Sequence, residues 1–221
     1  MNQPQIARTN RLHGLAIAAM TGIAFAVPAR AAVPASSAGP APVVAAAIVT
    51  PAPLAANSIY QLPLSLTDQD GRTFRLDERR GHAMLVSMFY TSCQAVCPML
   101  IDALRDTQKQ LSAADRDRVG VLMVSFDPAH DTVAVLKSTA DERGLDPAHW
   151  SVARTDPASV RKLAAMLGIQ YRALANGEFN HTTALILVDA EGRIAARTSQ
   201  LGHADAAFVK RIRVAAQADP R

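Results

Sequence analysis

The only two cysteines among the 221 residues of this chain, Cys93 and Cys97, are separated by three residues. Two thiols that lie so close can form a small disulfide, exchange electrons with a partner, or bind a soft metal ion. A purely structural disulfide is the weakest of these hypotheses, because closing so short a loop removes only about 2 kcal/mol of unfolded-state entropy. The pair therefore predicts redox or metal chemistry, and the spacing by itself does not choose between the two.

The segments on either side of the cysteines predict where the thiols lie. Residues 83–90 form a mostly apolar run, as in a buried central strand, and residues 98–111 have the apolar spacing of an amphipathic helix. Pro98 suits the first residue of that helix, and proline disfavours helical backbone in the residue before it. Both cysteines are thus expected on the loop that enters the helix, where unpaired N–H groups and the helix dipole favour the thiolate.

A metal site needs further ligands, and histidine is the natural candidate. His181 lies in a polar loop, residues 176–183, that runs directly into a buried strand, and loops at strand ends are where sites are built. Three of the other four histidines of the predicted domain, His82, His149 and His203, are expected in surface or packing roles. Thiolates select copper(I), and an added imidazole gives a three-ligand site that can also hold copper(II).

Residues 1–31 have the pattern of an export signal. Two arginines precede an apolar core at residues 14–27, and Ala29-Arg30-Ala31 provides a small-x-small end. We interpret this segment as a signal peptide cleaved near Ala31 or as an N-terminal anchor. The remainder is then exported to a bacterial periplasm, where disulfides persist, and stays tethered to the inner membrane if the leader is retained.

The basic character of the chain comes largely from this leader. Its only charged residues are Arg8, Arg11 and Arg30, so that its removal lowers the formal net charge from +4 to +1. No basic stripe remains in the sequence, which excludes nucleic acid as an expected partner.

The rest of the chain divides into a tether and one domain. Residues 32–57 are almost entirely Ala, Pro, Val and Ser, a composition that predicts a flexible tether. Residues 58–218 predict one α/β domain with a mixed β-sheet flanked by helices. It begins with a β-hairpin that turns at residues 68–71 and ends with a second hairpin and a helix. Two central helices are expected at 132–143 and 156–167, capped by Asp131 and Asp156.

Three motifs resemble those of the Sco/SenC/PrrC family. They are Cys93-x-x-x-Cys97-Pro98 after an apolar strand and Phe-Tyr-Thr, the segment Ser-Phe-Asp-Pro-Ala-His-Asp-Thr at 125–132, and Asn-His-Thr at 180–182 before another apolar strand. They occur in the family's order and span essentially the whole predicted domain. The resemblance implies that the mixed sheet has a thioredoxin-like fold.

The resemblance also implies a function and a site. The family's function is that of a periplasmic metallochaperone, which delivers copper to a cuproenzyme and in particular to the copper centre of cytochrome c oxidase. The expected partner is an oxidase subunit or another cuproprotein, and no enzymatic activity is required. By this resemblance Cys93, Cys97 and His181 are the copper ligands, and Asp127 is a nearby acidic residue that orients a ligand.

A second function stays open beside copper delivery. The pair could cycle between dithiol and disulfide as a thiol-disulfide oxidoreductase, reducing a partner's cysteines before copper insertion and being regenerated by a thiol-disulfide reductant. Family members commonly have proline directly after the first cysteine and an acid one residue later, where this chain has Gln94 and Ala95. Thioredoxin-type enzymes usually have Cys-x-x-Cys and a facing cis-proline, and no proline occurs here between Pro157 and Pro220. The absence of a facing proline favours copper binding over thiol-disulfide exchange. The Pro-x-x-x-Thr-x-x-Cys approach typical of peroxiredoxins is also missing before Cys93.

Overall fold

The computed structural model describes residues 53–218, which contain nine β-strands and five α-helices. The predicted leader and most of the predicted tether lie outside the described residues. The strands are β1 Ser65–Asp68, β2 Thr73–Arg75, β3 Ala83–Phe89, β4 Val119–Ser125, β5 Trp150–Arg154, β6 Tyr171–Ala173, β7 Phe179–His181, β8 Leu185–Val188 and β9 Ile194–Thr198. The helices are α1 Val96–Lys109, α2 Ala113–Asp117, α3 Val133–Glu142, α4 Pro157–Met166 and α5 Ala206–Gln217.

Seven strands form one mixed sheet in the order β2-β1-β5-β4-β3-β8-β9. The three central strands, β3, β4 and β5, are parallel to one another, and all other neighbours in this sheet pair antiparallel. Every residue of β3 and of β8 is buried, as expected for strands that are covered on both faces. Because β3 and β4 run in the same direction, the loops that follow them leave from the same edge of the sheet.

Both predicted hairpins are present. Strands β1 and β2 form the N-terminal one, with Thr67 opposite Thr73, and strands β8 and β9 form the C-terminal one. The cap predicted for the second central helix is also confirmed, since the Asp156 carboxylate accepts hydrogen bonds from the backbone N–H groups of Ala158 and Ser159.

Two parts of the sheet architecture were not predicted from the sequence. Strand β5 lies between β1 and β4 in the middle of the main sheet, and β6 and β7 form a separate two-stranded sheet. Both β6 and β7 have only three residues, which is too short for an alternating pattern to be recognised. The polar loop predicted around His181 is therefore partly a β-hairpin. No helix among residues 53–218 has the length and apolar character needed to cross a bilayer.

Gly192 allows the segment before β1 to pack against the β8–β9 hairpin. Its φ of +81° lies in the left-handed region, and an added Cβ would clash with Ser58 Oγ and lie 2.5 Å from Tyr60 Cδ2. The Gly192 carbonyl also accepts a hydrogen bond from the Ile59 N–H at 2.8 Å. Both the backbone conformation and the close approach therefore require glycine.

We expect Gly192→Ala to destabilise the protein more than Gly177→Ala. Gly177 has a similar φ of +84°, but an added Cβ would meet no atom within 4 Å, so its replacement costs only the backbone term of about 1 kcal/mol. The steric clash at Gly192 should add roughly 1–3 kcal/mol. Urea unfolding followed by circular dichroism measures both variants, and equal losses of unfolding free energy would show that the clash relaxes freely.

Candidate metal and redox site

The cysteine loop lies between the end of β3 and the start of α1. The backbone N–H of Cys93 donates to the Tyr90 carbonyl at 3.4 Å, and the backbone N–H of Cys97 donates to Cys93 Sγ at 3.3 Å. Both side chains are buried, and both cysteines are free thiols. The Cys93 sulfur thus occupies the place that a capping oxygen takes at other helix N-termini, because Ala95 at the N-cap position has no side-chain acceptor.

The helix begins earlier than the sequence predicts. Pro98 is its third residue and Cys97 its second, so that only Cys93 lies on the loop proper. A proline is tolerated there because the first N–H groups of a helix have no partner four residues back. The expectation that both thiols precede the helix is therefore wrong for Cys97.

The two thiols have opposite pKa shifts. Burial by itself would raise the pKa of Cys93, but hydrogen bonds from the Cys97 thiol and from the N–H groups of Cys97, Val96 and Ala95 outweigh it and lower the pKa. Burial raises the pKa of Cys97, and the negative charges of Cys93 and Asp131 act in the same direction. Cys93 is the thiol that ionises first, and Cys97 stabilises it as a hydrogen-bond donor.

Asp131 connects the cysteine loop to the end of β4. Its side chain is only 1% exposed, and its carboxylate accepts hydrogen bonds from the Thr91 hydroxyl, the Thr91 N–H at 3.2 Å and the Ser125 hydroxyl. The predicted role of Asp131 as a helix cap is wrong, because Thr132 Oγ1 accepts from the Val135 N–H and caps α3 instead. The buried carboxylate holds the loop rather than the helix.

Asp127 lies in the same loop after β4 as Asp131 does. Its backbone N–H donates to Ser125 Oγ at 2.9 Å, and its carboxylate pairs with His130 Nδ1 at 2.7 Å. The His130 side chain is largely exposed. The described contacts of Asp127 are thus those of a turn residue with a hydrogen bond to an exposed histidine, and Asp131 is the acidic residue that bonds to the cysteine loop.

His181 is the last residue of β7, opposite Tyr171 of β6. Its Nδ1 lies 3.3 Å from the Thr182 carbonyl oxygen, which can only accept, so that Nδ1 carries the proton in the neutral ring. Nε2 then holds the lone pair that a metal ion would use.

Aromatic contacts dock the β6–β7 hairpin beside the cysteine loop. The His181 ring centroid lies 5.0 Å from that of Phe126 and 6.0 Å from that of Tyr90, which precedes the loop. Phe179 contacts the Tyr90 ring at 5.0 Å, and Tyr171 stacks on Phe126 at 4.8 Å. These rings bring His181 to the side of the molecule that carries the thiols.

A hydrogen bond adds to this aromatic docking. The Tyr90 hydroxyl donates to the Glu178 carboxylate and accepts from the Phe179 N–H at 3.4 Å. Burial and the hydrogen bond to Glu178 raise the pKa of Tyr90, which keeps the hydroxyl protonated as a donor. Neither Tyr90 nor Glu178 was singled out from the sequence. The indications were the position of Tyr90 at the end of the apolar strand and its place in the Phe-Tyr-Thr segment before the cysteines.

The predicted ligands are near one another but do not form a closed site. Cys93 and Cys97 lie together at the start of α1, and His181 is placed on the neighbouring hairpin. Within residues 53–218 no group of three or more His, Cys, Asp or Glu side chains is assembled as a metal cage. In chemical terms, two thiols and one neutral imidazole fit a soft metal ion such as copper.

Comparisons with known proteins identify the family to which the chain is similar. A family model described as SCO1/SenC matches residues 53–217. The SCO1 protein homolog of Bacillus subtilis (strain 168) is 31% identical over 88 residues, which cover 40% of this chain and 45% of the relative. The matched stretch thus spans less than half the length of that relative, as it does for the other curated relatives.

Solved structures show the same fold. Arabidopsis thaliana ScoI with copper bound superposes with a TM-score of 0.59 at 19% identity, covering 69% of this chain and 98% of the other. BsSco, a member of the Sco family of cytochrome c oxidase assembly proteins in which a disulfide switch has been identified, gives 0.61 at 20% identity, with coverages of 71% and 92%. These likenesses confirm the predicted thioredoxin-like α/β fold.

The family model extends over nearly all of the described residues, including the cysteine loop, the loop after β4 and the His181 hairpin. This chain therefore belongs to the SCO1/SenC family.

Proposed function

We propose that this protein is an exported copper-binding metallochaperone that delivers copper for the assembly of a cuproenzyme. The proposed enzyme is cytochrome c oxidase, and the proposed destination is its copper centre. The observation that carries the proposal is the position of His181, whose ring contacts Phe126 and Tyr90 beside two free, buried thiols. Copper bound in a related ScoI supports it. The predicted division into leader 1–31, tether 32–57 and domain 58–218 would keep the carrier in the periplasm, close to membrane-bound targets.

The proposed ligands are Cys93, Cys97 and His181. Cys93 would bind first as the more acidic thiol, Cys97 would lose its proton on binding, and neutral His181 would contribute Nε2. Asp127 is proposed as an acidic residue outside the ligand set that influences the ligands through the loop after β4. Asp131 instead holds the cysteine loop directly, by hydrogen bonds from Thr91.

The third ligand lies on an element that can separate from the other two. Strands β6 and β7 pair only with each other, and most of their residues are partly or fully exposed. An isolated two-stranded hairpin is only marginally stable, so its position depends on the aromatic contacts and on the hydrogen bond between Tyr90 and Glu178. Movement of the hairpin would reduce the protein ligands from three to two and allow a partner's ligands to take over the ion.

The decisive test is a copper(I) titration of the reduced protein and of His181→Ala. We expect stoichiometric binding by the wild type and an affinity lowered at least about 100-fold in the variant, since even outer residues of metal sites are worth 10–100-fold. His149→Gln is the matched control, because His149 precedes β5 and therefore lies at the opposite edge of the sheet from the cysteines. Unchanged affinity in His181→Ala would contradict the proposed ligand set.

The role of the hairpin can be tested with Tyr90→Phe. This change removes the hydroxyl that bonds Glu178 and Phe179 but keeps the ring, and should weaken copper(I) binding about fivefold, corresponding to a hydrogen bond worth about 1 kcal/mol. Tyr171→Phe is the control, because the Tyr171 hydroxyl makes no hydrogen bond within residues 53–218 while its ring stacks on Phe126. Equal effects of the two variants would show that the Tyr90 hydroxyl does not position His181.

The alternative function is that of a thiol-disulfide oxidoreductase, and the asymmetry of the two thiols favours it. The Cys93 thiolate would attack a partner disulfide and release one partner thiol, and Cys97 would then attack the Cys93 sulfur and release the second. The partner gains two electrons, the protein keeps a Cys93–Cys97 disulfide, and an exported dithiol reductant must restore it.

This alternative predicts a readily reduced disulfide. The Cys93–Cys97 couple, equilibrated in glutathione redox buffers, should have a potential above about −300 mV, the limit below which structural disulfides lie. A lower potential would identify a structural bridge and remove the redox function. Disulfide-reductase turnover that needs both cysteines but not His181 would favour the oxidoreductase over the chaperone.

A further inference from the structure

A pocket of about 340 Å³ lies at the opposite end of α1 from the cysteines. It is bounded by the last turns of α1, by α2, by the loop after α3 and by the start of β5, with Arg105, Gln108, Arg116 and Trp150 among its lining residues. Gln108 is eleven residues after Cys97 in the same helix, a separation of about 16 Å along the axis. The pocket is therefore distinct from the candidate copper site.

Gln108, which lines this pocket, carries an unpaired hydrogen-bond donor. The residue is only 7% exposed, and its Oε1 accepts a hydrogen bond from the Trp150 indole N–H at 2.8 Å. Because an indole can only donate, the amide cannot be flipped, and its NH₂ group must point away from Trp150. That nitrogen is buried without a hydrogen-bond partner among the described residues. An unpaired buried donor is costly and calls for an acceptor.

Arg116 provides a second donor of the same kind. Its Nε is buried and has no hydrogen-bond partner within the described residues. Neither Arg116 nor Arg105 forms an ion pair with any residue of the described part of the chain. Two arginines and one glutamine whose donors have no acceptors in this part of the chain therefore line the pocket.

The carboxylate at the pocket forms no ion pair with Arg105 or Arg116. Asp146 lines the pocket, but its two oxygens accept from the Ala148 N–H at 2.9 Å and from His149 Nδ1 at 3.0 Å. Lys109, also at the pocket, is exposed and paired with Asp106. The unpaired positive charges of Arg105 and Arg116 therefore make the pocket suitable for an anion.

We propose that this pocket binds a small oxyanion of the phosphate type. All the unpaired groups are hydrogen-bond donors. Two of them belong to guanidinium groups, which are permanently charged and whose paired N–H donors match the geometry of phosphate oxygens. The anion is either free phosphate or the phosphate of an anionic lipid headgroup, which a membrane-tethered domain could reach. The inference does not depend on copper binding.

The only tryptophan of the chain, Trp150, reports on this site. Titration of the purified protein with inorganic phosphate at low ionic strength should change its fluorescence in a saturable way. Arg116→Gln should weaken binding at least tenfold, as expected for the loss of a hydrogen bond to a charged group. Gln108→Glu should do the same, since it keeps the acceptor for Trp150 but replaces the donor by an anionic oxygen. Arg161→Gln, which removes an exposed charge on α4, is the matched control and should bind like the wild type.

A second arm separates the two sources of phosphate. Vesicles of phosphatidylglycerol and phosphatidylcholine, compared with phosphatidylcholine alone, should retain the wild type more than Arg116→Gln if the anion is a headgroup. Saturable binding in either arm that is lost in both pocket variants supports the proposal. Absence of binding in both arms, or an equal loss in Arg161→Gln, overturns it. Circular dichroism verifies that the variants are folded, and copper(I) binding, expected to be unchanged in them, keeps this test separate from that of the proposed function.

Discussion

The in-register parallel pairing of β3 with β4 is the constraint on which the site depends. The pairs run from Ala83 opposite Val119 to Phe89 opposite Ser125, so both strands end at the same level, and the Phe126 N–H extends the ladder to the Phe89 carbonyl at 2.7 Å. The cysteine loop and the loop after β4 are therefore neighbours from their first residues. This allows the Asp131 carboxylate, in the loop after β4, to bond Thr91 of the cysteine loop and Ser125 at the end of β4. A register shift of one residue would move every side chain of the buried strand β3 to the opposite face of the sheet.

The elements that carry the three proposed ligands differ in how rigidly they are packed. The cysteines follow a buried strand and begin a packed helix, and a buried carboxylate braces their loop. His181 lies on a small separate sheet that is docked by aromatic rings and by the Tyr90–Glu178 hydrogen bond. A carrier must both bind and release its ion, and a rigid pair of thiols with a more weakly held imidazole meets the two requirements. The same thiols, differing in acidity, have the chemistry of a redox pair, so both proposed functions would use the same helix N-terminus.

Much of the fold could be predicted because it depends on long or strongly marked segments. The apolar run of β3, the two hairpins and the Asp156 cap are local patterns, and the structure confirms them. The start of α1 and the role of Asp131 were predicted wrongly for a common reason. In each case the local rule, proline at the first helical turn or aspartate before a helix, competed with another hydrogen bond. Cys93 Sγ caps α1, which begins two residues before the expected start. Thr91 and Ser125 donate hydrogen bonds to the Asp131 carboxylate, which therefore does not cap α3.

The sequence by itself determined the candidate chemistry of this protein: two close thiols at a helix start, one histidine before a buried strand, and three motifs in the order of the Sco/SenC family. Residue types and short spacings are local properties, so they can be recognised without a structure. Only the tertiary structure decided which side chains support that chemistry. Tyr90 and Glu178 are 88 residues apart, and Thr91 and Asp131 are 40 apart, yet each pair is in hydrogen-bond contact. Such partners are chosen by strand order and register, which depend on the packing of the whole sheet.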